Sequence, residues 1–93
     1  MTPETVTPTL RACLLTMHHA PDLSLVRVRG GFRAVRSHNG HWPVFTLRAV
    51  RMLDRDLLVE FDNPAFPTIV TLTPRGVGLA AALAKRYEKD AAA

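Results

Sequence analysis

A chain of 93 residues with 47% hydrophobic content supports one small domain with one modest core, and points to oligomerisation as a further source of stability. Its apolar runs are broken every few residues and its N-terminus is not a basic-then-apolar signal, so the composition reads as a soluble cytoplasmic protein with no membrane span. The single cysteine, Cys13, excludes an internal disulfide framework and any cysteine-rich zinc site.

The net charge of +4 is unevenly spread. Residues 23–53 hold six arginines (Arg27, Arg29, Arg33, Arg36, Arg48, Arg51) and no Asp or Glu, whereas residues 54–62 hold Asp54, Asp56, Glu60 and Asp62 against Arg55 alone. A preference for arginine codons explains why Arg outnumbers Lys ten to two, but not the missing carboxylates. Such an asymmetry favours an anionic partner, with nucleic acid ahead of a membrane surface.

Thr7-Pro8 supplies an N-cap and a first-turn proline, and Leu10, Cys13, Leu14 and Met17 follow at helical spacing, which predicts a first helix over 8–19. Pro21 stops it. Cys13 lies in this stripe, where a small buried hydrophobe belongs. Residues 24–36 place β-branched and aromatic residues on either side of Gly30-Gly31, a hairpin pattern, although a short helix over 23–29 is an open alternative. A turn centred on the two glycines would set Arg29 opposite Phe32 and Arg27 opposite Ala34. Ser37 to Pro43 is rich in turn formers and reads as irregular.

From Val44 to Arg55 the helical period returns. Phe45, Ala49, Met52 and Leu53 form an apolar stripe widened by Leu47 and Val50, while Arg48, Arg51 and Arg55 stack on the far side. Leu57 to Phe61 and Thr68 to Thr73 read as two strands around a loop with two prolines. Thr73 caps a last helix opened by Pro74, with Val77, Leu79, Ala80, Leu83, Ala84 and Tyr87 inward and Lys85, Arg86 and Lys89 at its C-terminal end.

The run TLRAVRMLDRDLLVEF followed by TIVTLTPRGVGLAAAL resembles the second half of bacterial winged-helix regulators of the MarR-like or PadR-like kind. The resemblance covers residues 44–87, and its strongest element is Leu72-Thr73-Pro74-Arg75-Gly76. It implies an α+β winged-helix fold, three helices with a small antiparallel sheet and a wing hairpin, in which the helix at 44–55 enters the DNA major groove. Those families usually place glycine just before the first wing strand; this chain has Asp56, a residue that tolerates the left-handed conformation. Family wings also present arginine to DNA, whereas the loop Asp62 to Pro67 has no basic residue, so wing contacts are not carried over. A second helix of a helix-turn-helix is not evident in the first half, where the Gly30-Gly31 hairpin stands instead.

Arginine suits both phosphate contacts and bidentate reading of guanine. Arg48 and Arg51, with Thr46 at the start of the helix, are the candidate groove contacts; Arg55 extends their row, and Arg27, Arg29, Arg33 and Arg36 are candidates for backbone contacts. Trp42 reads as a lid on the core or a stacking platform. His18-His19 and His38-x-x-His41 have no acidic or cysteine ligand spaced with them, the glycine pairs lack a nucleotide-loop pattern, and no nucleophile has an evident base. No metal, cofactor or catalytic site is expected.

Two readings follow. One is a small transcriptional regulator binding double-stranded DNA, dimerising through a small-residue face of the last helix (Gly78, Ala80, Ala81, Ala82, Ala84). The other is a winged-helix module that binds an acidic protein through the basic half and the apolar loop residues Trp42, Phe66 and Pro67.

Overall fold

The computed structural model describes residues 2–34 and 43–88, with side chains of 2–34 and 43–86. The order of elements is α1 (Pro8–His19), β1 (Ser24–Val28), β2 (Gly31–Arg33), α2 (Leu47–Arg55), β3 (Val59–Phe61), β4 (Ile69–Leu72) and α3 (Pro74–Leu83), with a π-helical turn Ala84–Glu88 continuing α3. This is an α+β fold of three helices on a four-stranded antiparallel sheet ordered β2-β1-β4-β3.

Each helix starts where a threonine hydroxyl accepts a backbone N–H three residues on. Thr7 takes Leu10 N, Thr46 takes Ala49 N and Thr73 takes Gly76 N, at 3.3, 3.2 and 3.1 Å. Proline occupies the first turn of α1 and α3, where its missing N–H costs nothing. α1 ends at His19, and the chain turns through Leu23, at φ 58°, into β1. Residues 24–28 are therefore strand, not helix.

The β1–β2 register differs from the one a Gly30-Gly31 turn would set. Val28 pairs with Gly31 and Arg27 with Phe32, so the turn is Arg29-Gly30 and Gly31 is already in the strand. The reason lies outside the hairpin. Phe32 and Phe45 exchange two backbone hydrogen bonds of 2.8 Å, and a Cβ on Gly31 would stand 2.2 Å from the Phe45 carbonyl oxygen. Only glycine lets β2 approach this closely.

β4 pairs with both β1 and β3, and the Ser24 and Thr71 hydroxyls share a 2.8 Å hydrogen bond across the β1–β4 pair. Leu25, Phe32, Val59, Val70 and Leu72 fall on one sheet face and join Leu14, Met17, Val50, Leu53, Ala80 and Leu83 in a single core. Cys13 belongs to that core, and burial pushes its thiol up to about 12. Val6 is buried too, and Glu4 pairs with Arg86 at 2.9 Å.

Three expectations change. Helix α2 begins at Leu47, because Phe45 pairs with Phe32 and Thr46, itself extended, is the cap. The left-handed residue ahead of β3 is Leu57, at φ 60°, whereas Asp56 has φ −95°. Among the small residues of the last helix, Ala80 faces the core and only Gly78, Ala81 and Ala82 are exposed. The Tyr87 and Lys89 readings, and those on Trp42, His38 and His41, lie outside the described residues or side chains.

Leu57 makes a testable position. Its side chain is 64% exposed, so little burial offsets the cost of a branched side chain at positive φ. Leu57→Gly is expected to raise stability by about 0.5–1 kcal/mol, the left-handed penalty less the backbone entropy of glycine. Thermal unfolding checks it: the melting temperature should rise by roughly 2–8 °C.

Candidate nucleic-acid interface

α2 is held on its inner side by Ala49, Val50 and Leu53, all buried in the core. Its outer side carries Arg48, Arg51 and Arg55, which with Leu47 and Met52 line one open cleft. The arginines sit at i, i+3 and i+7, one above another on the same face. No hydrogen bond or ion pair joins their guanidinium groups to another described residue. Like charges at this spacing repel by a few tenths of a kcal/mol per pair, so this face adds nothing to the stability of the fold.

Met52, which helical spacing puts in the apolar stripe, is 41% exposed. With Phe45 outside the helix, Ala49, Val50 and Leu53 set the inward direction, and Met52 falls on the flank beside the arginines. Its sulfur-bearing chain and Leu47 thus give the basic face an apolar lining that residue charge alone did not suggest.

The two hairpins flank this helix. Arg27, Val28, Arg29, Gly30, Gly31 and Phe32 form a second cleft with Leu47, the residue it shares with the α2 cleft. Further along the helix Arg51 and Arg55 line a third cleft with Asp54, Phe61 and Pro64 of the β3–β4 hairpin. Leu47, Arg51 and Arg55 therefore link the three clefts across α2.

The hairpin arginines do not act alike. Arg27 is committed within the protein: its Nη1 donates to the Pro67 carbonyl at 3.1 Å and its guanidinium lies 4.3 Å from the Phe66 ring centre. Arg29 sits in the exposed turn and has no such partner among the described residues. Arg33 pairs with Val26, on the sheet face opposite the core, and lines none of the three clefts. Arg36 lies outside the described residues. Thr46 is exposed, but its hydroxyl is engaged as the α2 cap.

The β3–β4 loop has an internal logic the sequence concealed. The Asp62 carboxylate accepts from Thr68 N at 2.8 Å, from Ile69 N at 3.0 Å and from the Thr68 hydroxyl. These donors, the Thr68 hydroxyl first, hold the carboxyl well below the usual carboxylate range. Asn63 adds an Asx turn, its side-chain oxygen taking Ala65 N at 3.0 Å. Pro67 is buried, not a surface contact, while Phe66 is 59% exposed beneath Arg27. Asp62 thus closes the loop from within.

A depressed folded pKa stabilises the protein above the unfolded value and is lost as pH falls through the folded one. Asp62→Asn is accordingly expected to lower the melting temperature slightly at pH 7. The gap from wild type should begin to narrow as pH drops below about 4, where the unfolded chain's carboxyl protonates, and close only at the lower pH where the folded carboxyl protonates as well. Melting curves across that range check the sign.

Among the described residues, no group of three His, Cys, Asp or Glu side chains is placed to hold a metal ion. No described helix is long and apolar enough to cross a membrane. No family model matches the chain, and neither a curated protein nor a solved structure shows significant similarity to it.

Proposed function

We propose that this chain is a winged-helix-type domain that binds double-stranded DNA, with α2 laid into the major groove and a role in transcriptional regulation. The observation that carries the reading is the face of Arg48, Arg51 and Arg55, exposed and without partners among the described residues, on a helix anchored by its opposite side. Guanidinium groups spaced along one helix face fit a row of phosphates or guanine edges. The order α2, β3, β4, α3, with β4 paired to an earlier strand, supports the winged-helix comparison. The β1–β2 hairpin stands where a helix-turn-helix would place its first helix, so the supporting element in this reading is a strand pair.

Pairing of two copies through α3, which would set two α2 helices across a pseudo-palindromic site, falls on Gly78, Ala81 and Ala82, with Ala80 excluded by its burial. A second reading, recognition of an acidic protein, is favoured by the exposed Met52 and Phe66 beside the arginines. Fluorescence anisotropy with a labelled duplex of mixed sequence at about 50 mM salt separates them, since even non-specific duplex binders register there. Saturable binding supports the DNA reading. Its absence at high protein concentration refutes it and leaves the acidic-protein reading.

A further inference from the structure

We infer that the second element to contact the duplex is the β1–β2 turn, with Arg29 as its phosphate ligand, and that the β3–β4 wing stays off the backbone. This rests on the duplex-binding reading above and adds which of the two hairpins beside α2 closes on the nucleic acid.

Both hairpins border α2, so position does not separate them; charge and commitment do. The β1–β2 hairpin carries Arg27, Arg29 and Arg33 with no carboxylate. The β3–β4 loop, residues 62–68, has no Lys or Arg, and its one carboxylate is engaged in holding the loop together. Asp54 adds a second negative charge to the cleft on the wing side. A polyanion resting on the α2 arginines is therefore drawn toward the β1–β2 side.

The β1–β2 cleft meets the α2 cleft at Leu47, as the wing-side cleft meets it at Arg51 and Arg55, so the shape of the turn has to separate them. Gly30 has no heavy atom within 4 Å of where a Cβ would stand, so the crest of the turn is open to a close-approaching strand. The turn is also fixed relative to α2, because Phe32 and Phe45 exchange backbone hydrogen bonds immediately before Thr46 caps the helix. The backbone of the turn is thus held in place before binding, and only the Arg29 side chain has to be ordered. Arg27 is tied to Pro67 and Phe66, which leaves Arg29 as the side chain able to reach outward.

The test compares wild type, Arg29→Ala, Ala65→Lys at the wing loop, and the Arg48→Ala/Arg51→Ala double variant, by anisotropy with a labelled duplex over about 50–200 mM salt. Arg29 and Ala65 are both exposed, and circular dichroism confirms that each variant is folded. Arg29→Ala is expected to weaken binding roughly 5- to 10-fold at about 100 mM salt and to reduce the slope of log affinity against log salt by about 1. Ala65→Lys is expected to change affinity less than Arg29→Ala does. The inference is overturned if Arg29→Ala binds like wild type while the double variant is weakened, or if Ala65→Lys tightens binding by more than Arg29→Ala weakens it. In either case the α2 reading survives. A wild-type protein that binds no duplex overturns both.

Discussion

Gly76→Ala is expected to be among the most damaging single-methyl changes at the described residues. A Cβ at this position would stand 1.9 Å from the Leu58 carbonyl oxygen, a backbone atom with no rotamer to give way. That carbonyl also accepts Thr73 N at 3.1 Å, while the Thr73 hydroxyl donates to the Leu57 carbonyl at 2.5 Å and caps Gly76 N. One corner thus joins the end of α2, the start of β3, the end of β4 and the start of α3. Accommodating a methyl group means lifting α3 off Leu58, which breaks the cap and the strand-end bonds together. Overpacking and cap loss combine to about 2–4 kcal/mol, a large share of the stability of a small domain. The melting temperature should fall by more than about 10 °C.

Gly78→Ala is the internal control. Its added Cβ meets nothing within 4 Å, so the substitution is expected to be neutral or to stabilise slightly through helix propensity. The two glycines look equivalent in the sequence and differ completely in what they touch. Equal effects in thermal melts would contradict the packing of α3 described above.

That contrast shows what one-dimensional reading captures. Local signals were sound: threonine caps, first-turn prolines and the spacing of Leu10, Cys13, Leu14 and Met17 give α1 its observed bounds, and Thr73-Pro74 gives α3 its start. Signals set by distant partners were not. The Arg29-Gly30 turn follows from Phe32 pairing with Phe45, thirteen positions on, and the same pairing keeps Phe45 out of α2. The left-handed residue fell on Leu57 instead of Asp56 because the chain must leave α2 and present the Leu57 and Leu58 carbonyls to Thr73. For the candidate site, helical spacing alone placed Arg48, Arg51 and Arg55 on one face. It could not assign Arg27 to Pro67 and Phe66, forty residues away, or turn Arg33 to the opposite side of the sheet. A charge count treats those side chains as one set, whereas the fold divides them.

The second large effect concerns binding. Arg48→Ala/Arg51→Ala is expected to weaken duplex affinity by at least about 30-fold at about 100 mM salt, since each lost groove contact costs about 1–3 kcal/mol. Stability should not fall with it. The two side chains point outward, repel each other and Arg55, and make no described internal bond, so the double variant should melt at or slightly above the wild-type temperature. Loss of binding without loss of stability separates an interface from a structural surface.

The most direct test of the central claim is the salt dependence of duplex affinity for wild type and this double variant, measured side by side. If α2 lies against the nucleic acid, wild-type log affinity falls steeply with log salt and the variant's affinity is lower, with a slope shallower by about 0.9 for each of the two arginines that neutralises a phosphate. A wild-type affinity that does not depend on salt, or a double variant with the same affinity and slope as wild type, would contradict it.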